Sequence, residues 1–294
     1  MPTGRNTTNT FADSMDDIRA AARAVREYAN VMGQVVDTRK LENNTGLNWK
    51  ELSFAKLTAM NLDELSDLEQ NPQEILDTLF STSPTLVGMS VFITDRSKVR
   101  MSKHGAAKIG VLTENAMARK KDLDLIAGAQ SATTDLGTAG NPMASDLISA
   151  AAARISGNAT EPWVGPVAAV MRGYQLKDIQ DEAVAGFGTY PVSGGIAEDT
   201  LRKGFSGDLF GVKIYRDDNI PVDSSSDAVA VVFASGPESA LVLVQGMESR
   251  RVTERKENIG GGAEIMYATD EYGTGIRQQA WIYAITADST APVG

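Results

Sequence analysis

Residues 103–129, KHGAAKIGVLTENAMARKKDLDLIAGA, decide how the rest of the chain is read. Ile109, Leu112, Ala116, Leu123 and Ile126 recur at spacings of three, four and seven, which lines them along one face of a helix. By the same periodicity Asn115, Arg119, Lys120, Asp122 and Asp124 mostly point elsewhere. No proline interrupts the stretch, and Gly128 with the polar run behind it provides a stop. At about 1.5 Å per residue such a helix runs roughly 40 Å, long for a compact domain of ordinary helices. Any globular protein can hold a long core helix, so the setting carries the weight. A strand-like excursion precedes it, an α/β segment follows it, and a β-rich region closes the chain.

Upstream, residues 1–12 are small, polar and aperiodic. Ser14 opens a helical pattern, SMDDIRAAARAVREYANVMGQVV, with Asp16 and Asp17 in the first turn, where acidic groups suit the helix dipole. Its stripe of Ile18, Ala22, Val25, Ala29 and Met32 is narrow and alanine-rich, which calls for a partner surface. Residues 37–46, DTRKLENNTG, read as a polar connector. Residues 49–60 alternate with period two, an acidic stretch NLDELSDLEQNPQE follows, and residues 75–80 and 86–94 are again extended. A strand, an acidic middle and a return, with little apolar mass, describe a protruding two-stranded arm. A lone hairpin is marginal in water, so this arm needs a neighbouring surface.

Downstream, SATTDLGTAGNP is a loop, and Ser145 or Asp146 caps a helix that Gly157 ends. WVGPVAAVM is a short buried strand whose Pro166 favours an edge or a strand start. YQLKDIQDEAV is helical, GFGTYPVSGG a turn region, and IAEDTLRKG a short helix. The remainder is strand-rich. LFGVKIY is followed by a loop, then AVAVVFA, apolar on both faces and therefore central. ALVLV and the charged RRVTERK come next, and EIMYA with GIRQQAWIYAITA reads as a long hairpin.

Composition narrows the chemistry. The 294 residues contain no cysteine and one histidine, His104, which excludes disulfides, thiol nucleophiles and cysteine–zinc sites. No phosphate-binding loop, nucleophile elbow or HExxH motif occurs. Gly260–Gly262 is a turn between strands. Asp178, Asp181 and Glu182 share a helix face and read as a solvated acidic surface. Arg250, Arg251, Arg255 and Lys256 form a basic patch with two readings: a charged strand that resists edge pairing, or an intersubunit surface facing the acidic 61–74 segment of a neighbour. No residue is assigned a catalytic, cofactor-binding or metal-binding role. No apolar run is long enough for a membrane span, and the polar, acidic N-terminus does not resemble a signal peptide. A net charge of −10 disfavours general nucleic-acid binding, although an acidic wall lets DNA pack beside it without sticking.

Two passages carry a family resemblance. GMSVFITDRSKVRMSKHGAAKIGVLTENAMARKKDLDLIAGA is similar to the passage from extended loop into spine helix in the major capsid proteins of tailed bacteriophages. GDLFGVKIYRDDNIPVDSSSDAVAVVFASGPESALVLV resembles that family's glycine-marked strand passage, here at Gly207, Leu209, Gly211, Val212, Ile214 and Pro221. The order of elements over about residues 13–288 resembles the same family, whose fold extends to herpesvirus floor domains and encapsulin shells.

The resemblance implies an α+β phage major capsid fold. Its parts are an N-terminal arm at 1–46, an extended loop at 47–95, a peripheral domain and an axial domain. The peripheral domain comprises 96–143 and 245–275, with spine helix 103–129 and a long β-hairpin; the α/β axial domain comprises 144–244 and 276–294. It further implies a non-enzymatic shell protein, without cofactors, assembling as hexamers and pentamers into an icosahedral virion capsid around double-stranded DNA. Assembly would occur in the host cytoplasm. The implied partners are further copies of itself, a separate scaffolding protein, a portal and decoration proteins. No membrane and no sequence-specific DNA contact is implied. An encapsulin-like nanocompartment, an α/β enzyme built on the 144–240 region and a soluble β-rich adhesion or tail-tube protein are the competing readings.

Overall fold

The computed structural model describes residues 30–42, 46–59, 61, 72–100, 103–186, 208–258 and 260–292, with the side chains of 103–108 and 183–186 left aside. Most of the helix expected from Ser14, most of the acidic 61–74 stretch, the glycine-rich turn region and the helix expected at 196–204 lie outside the described residues.

Two sheets and a separate hairpin organise the described chain. The first sheet is built around β11 (Ala263–Ile276). Its first half pairs antiparallel with β10 (Arg250–Lys256) on one side and with β4 (Thr85–Thr94) on the other. Its second half pairs with β9 (Leu241–Gln245), which in turn pairs in parallel with β1 (Asp37–Lys40). The expected hairpin between EIMYA and GIRQQAWIYAITA does not form. Glu264–Ala268 and Gly275 belong to the same 14-residue strand, and the chain leaves the sheet only after Ile276. The hairpin that does form joins β10 to β11 through the glycine turn, as the glycines there suggested.

The second sheet runs β12-β8-β5-β7-β6, with β12 Ile282–Asp288, β8 Asp227–Ala234, β5 Val167–Met171, β7 Val212–Arg216 and β6 Asp208–Leu209. β5 is buried at every position and starts immediately after Pro166, where the missing N–H removes no ladder bond. β8, apolar on both faces, lies inside the sheet as its composition required. LFGVKIY is not one strand: Phe210 and Gly211 both take positive φ, which reverses the chain in a two-residue turn between β6 and β7. Helix α4 (Ser145–Ser156) buries Ile148, Ala151 and Ile155 against this sheet. Helix α5 (Gly173–Gly186) reaches it through buried Gln175, whose Nε2 donates to the carbonyls of Ala228 and Ala287.

Helix α3 spans Lys103–Gln130, 28 residues or about 42 Å, and packs on β11 and β4. Its apolar stripe differs from the expected one. Leu125, Ile126 and Ala129 are buried, whereas Leu112 is exposed. The helix meets the body mainly through its C-terminal half, so one stripe does not run its length. Asp122, expected to point away, is fully buried. Burial is tolerated because its carboxylate is hydrogen-bonded on both oxygens. Lys121 ion-pairs with Asp270 at 2.8 Å and lies 5.0 Å from the centre of the Tyr272 ring, and the Tyr272 hydroxyl donates to Asp124.

The expected polar connector at 37–46 contributes β1 instead. The β9 edge needed a partner, and that pairing outweighs the weak strand preference of DTRK. A short helix α1 (Met32–Val35) precedes it and buries Met32 and Val35, and a second short helix, α2 (Asp95–Arg100), joins β4 to the segment before α3.

The loop after α3 is held on β12 by Asp135, whose Oδ1 accepts the N–H groups of Gly137 and Thr286. A Cβ on Gly137 would lie 2.0 Å from the Thr286 carbonyl oxygen. Gly137→Ala is therefore expected to push the loop off the strand and cost roughly 1–3 kcal/mol. A lower urea midpoint at unchanged m-value on the unassembled chain would report it.

Candidate functional site

Among the described residues the two-stranded hairpin gathers the largest group of exposed apolar side chains. β2 (Trp49–Phe54) pairs antiparallel with β3 (Asp77–Thr82), with Leu52 opposite Leu79 and Phe54 opposite Asp77. The pleat puts Leu52, Phe54 and Leu79 on one face. Phe54 is 70% exposed and Leu52 and Leu79 each 55%; Leu57, Ile75 and Leu76, further out, are also exposed. Contiguous apolar surface of this kind marks a contact with another macromolecule.

The opposite face ties the hairpin to the body. Arg277, following β11, is nearly buried and is the hub: it pairs with Asp37 of β1 at 2.8 Å and Glu51 of β2 at 2.8 Å, and donates to the Ser239 carbonyl. Burial works against the Asp37 charge, but Arg277 and Arg39 outweigh it and hold the carboxyl below its ordinary range. Thr82 donates to the Thr274 carbonyl at 3.1 Å. Phe80 lies over Gly275, where a Cβ would meet the ring at 2.6 Å. Lys56 donates to the Ala159 carbonyl. Between hairpin and body is a cleft of about 580 Å³ edged by Phe54, Phe80, Glu161 and Trp281. The Trp281 ring lies 5.0 Å from that of Trp163.

The basic strand β10 is an edge, exposed at nearly every position. Three of its four cations have partners within the chain: Arg251 with Glu114, Arg255 with Asp95 and Glu257, and Lys256 with Glu254. These pairs are solvent-exposed and contribute little to stability. They favour the reading of a charged strand that resists edge pairing over one reserved for a neighbour's acidic segment.

The expected acidic face of α5 has a different use. Asp178 accepts the Met143 N–H, and Glu182 accepts both the N–H and the hydroxyl of Ser145. These carboxylates serve the start of α4, whose N-cap, Ala144, has no capping side chain of its own. Neither Ser145 nor Asp146 is the cap; the unsatisfied N–H groups and positive dipole end of α4 draw the carboxylates instead. Asp181 turns outward to Lys177.

Among the described residues no group of three or more His, Cys, Asp or Glu is placed to hold a metal ion. His104 opens α3, and its side chain lies outside those described. No described helix is long and apolar enough to cross a membrane. The residues that matter at this site, Arg277, Asp37 and Glu51, are far apart in sequence and carry no local motif, so no sequence signal singled them out.

No protein-family model matches the chain, and no curated protein matches its sequence. Solved structures do match. The capsid structure of cyanophage P-SCSP1u superposes with a TM-score of 0.68 at 13% identity, over 99% of this chain and 99% of that one. The capsid of Ralstonia phage GP4 gives a TM-score of 0.70 at 11% identity, over 94% and 95%. The capsid of Helicobacter pylori bacteriophage KHP30 gives 0.67 at 12% identity, over 98% and 100%. The chain has the fold of these phage capsid proteins along essentially its full length.

Proposed function

We propose that the chain is a major capsid protein that assembles as hexamers and pentamers into an icosahedral shell around double-stranded DNA. One observation carries this reading: the match to phage capsids spans whole chains, and the hairpin it includes presents apolar side chains that a lone copy leaves in water. Repetition of one such heterologous contact, closing through curvature, builds a shell. The chain's role is then structural and not enzymatic.

The sequence resemblance and the observed sheets support the same division of labour. Residues 1–46 form the N-terminal arm and 47–95 the extended loop. Residues 96–143 and 245–275 form the peripheral domain, with α3 as its spine. Residues 144–244 and 276–294 form the axial domain. β4 ends the extended loop and β9 ends the first axial segment, and both hydrogen-bond β11, so the parts meet along that strand. The net charge of −10 suits a wall that encloses DNA without binding its sequence. A separate scaffolding protein, a portal and decoration proteins are the further partners, with assembly in the host cytoplasm.

The test is negative-stain electron microscopy of the purified chain, alone and co-expressed with its genomic neighbours. Closed polyhedra, or rings of five and six, are expected. A monomer under every condition contradicts the reading. Nuclease-protected double-stranded DNA inside native particles distinguishes a genome shell from an enzyme-filled compartment.

A further inference from the structure

Asp122 lies in the C-terminal half of α3 and is fully buried. Its Oδ1 accepts the N–H groups of Val31 at 3.2 Å and Met32 at 3.0 Å, and its Oδ2 accepts from Asn219 Nδ2 at 2.8 Å. It thereby fastens the start of α1 to α3. Asp217, 1% exposed, follows β7, and its Oδ1 accepts the Asn219 N–H at 2.9 Å. The Asp217 Oδ2 is buried and meets no N–H or O–H donor. Asn219 bridges the two carboxylates, its backbone N–H on Asp217 and its Nδ2 on Asp122, which brings two buried acids to one asparagine. Burial and like charge both oppose two ionised carboxylates so placed.

Among the described residues no cation relieves the pair. Among the described residues neither Asp122 nor Asp217 has an ion pair. On α3, Lys120 and Lys121 are engaged with Asp124 and Asp270. Beside Asp217, Arg216 holds Asp218, and Arg172 donates to the Ile220 carbonyl. Residues 30–35, NVMGQV, contain no ionisable side chain.

We propose that this pair holds a single proton, on Asp217, and that the proton latches segment 30–35 onto α3. Burial, then the contact with Asp122 and the nearby Asp218, push the Asp217 carboxyl up to about 7. Detached and solvated, the same group titrates in the ordinary carboxylate range. The attached state therefore binds more protons between those two values. Detachment becomes easier by up to about tenfold per pH unit across that window and levels off above it. The latch is closed in mild acid and weakened above neutrality, whatever the chain assembles into.

Hydrogen–deuterium exchange of the full-length chain between about pH 5 and about pH 8.5, corrected for intrinsic rates, tests this. Peptides covering residues 31–36 are expected to lose protection steadily up to about pH 7 and then plateau. A peptide covering β5 is expected to keep its protection. Asp217→Asn keeps a donor toward Asp122 and cannot ionise, so its curve for 31–36 is expected to be flat. The proposal is overturned by a flat wild-type curve, by a β5 peptide that follows the same curve, or by an Asp217→Asn variant that keeps the wild-type slope. Should that variant misfold, the wild-type curve against the β5 peptide decides alone.

Discussion

Replacing Leu52, Phe54 and Leu79 together by threonine is expected to abolish assembly and leave the folded chain intact. These side chains share a face of the hairpin and are more than half exposed in a single copy. Their substitution removes little from the monomer, because exposed positions away from special features change stability by about 0.5 kcal/mol or less. Threonine also keeps the strand preference, so the β2–β3 pairing survives. In the proposed shell the same face is expected to be covered. Burying the remaining exposed area is worth on the order of 1 kcal/mol per side chain, and the contact recurs at every copy. Sedimentation velocity and electron microscopy would report the loss of particles, with circular dichroism and the thermal midpoint of the unassembled chain unchanged. Wild-type yields of closed shells from the triple variant would remove the hairpin from the account.

Arg277→Met is expected to be the most destabilising single change outside the sheet cores. The guanidinium is nearly buried and joins three elements: β1 through Asp37, β2 through Glu51, and the turn before β9 through the Ser239 carbonyl. Its removal leaves the Asp37 charge buried and short of its main partner, a situation that costs roughly 3–5 kcal/mol. For a chain of this size the thermal midpoint falls by on the order of 10 °C. Asp37→Asn in the same chain is expected to recover part of the loss, which separates an unpaired charge from lost packing. Because Asp37 is held below the ordinary carboxylate range, the wild-type stabilisation is present above that range and is lost only as pH falls through the lowered value. The Arg277→Met variant should therefore lose its disadvantage in strong acid. A variant as stable as wild type near neutrality would show that packing alone seats the hairpin.

The parts of the fold legible in sequence were those governed by short-range pattern. α3 follows from its uninterrupted helical period, β5 and β8 from apolar runs bounded by Pro166 and by turn residues, and the hairpin from period-two segments flanking an acidic middle. Illegible parts depended on partners distant in sequence. The strand preference of DTRK is weak, and β1 exists because β9 offers an edge more than 200 residues later, as in the register of Asp37 with Val242. Asp122 carries the helical phase of an outward position, and only donors from Val31, Met32 and Asn219 make its burial tolerable. Asp178 and Glu182 looked like a solvated face because the helix start they serve lies on another element. The Arg277 hub, which seats the hairpin, left no trace in any local window. The hairpin was legible as a segment lacking its own core, and that shortage called for a neighbouring surface, part of which the chain's own body supplies.

In the proposed shell the β2–β3 hairpin completes itself on another copy of the chain. A cryo-electron microscopy reconstruction of the assembled particle tests it most directly. Closed shells are expected in which Leu52, Phe54 and Leu79 are buried against an adjacent subunit while Arg277 still holds Glu51 within its own chain. Shells in which that apolar face stays in solvent, or a chain that forms no particle with or without its genomic neighbours, would contradict it.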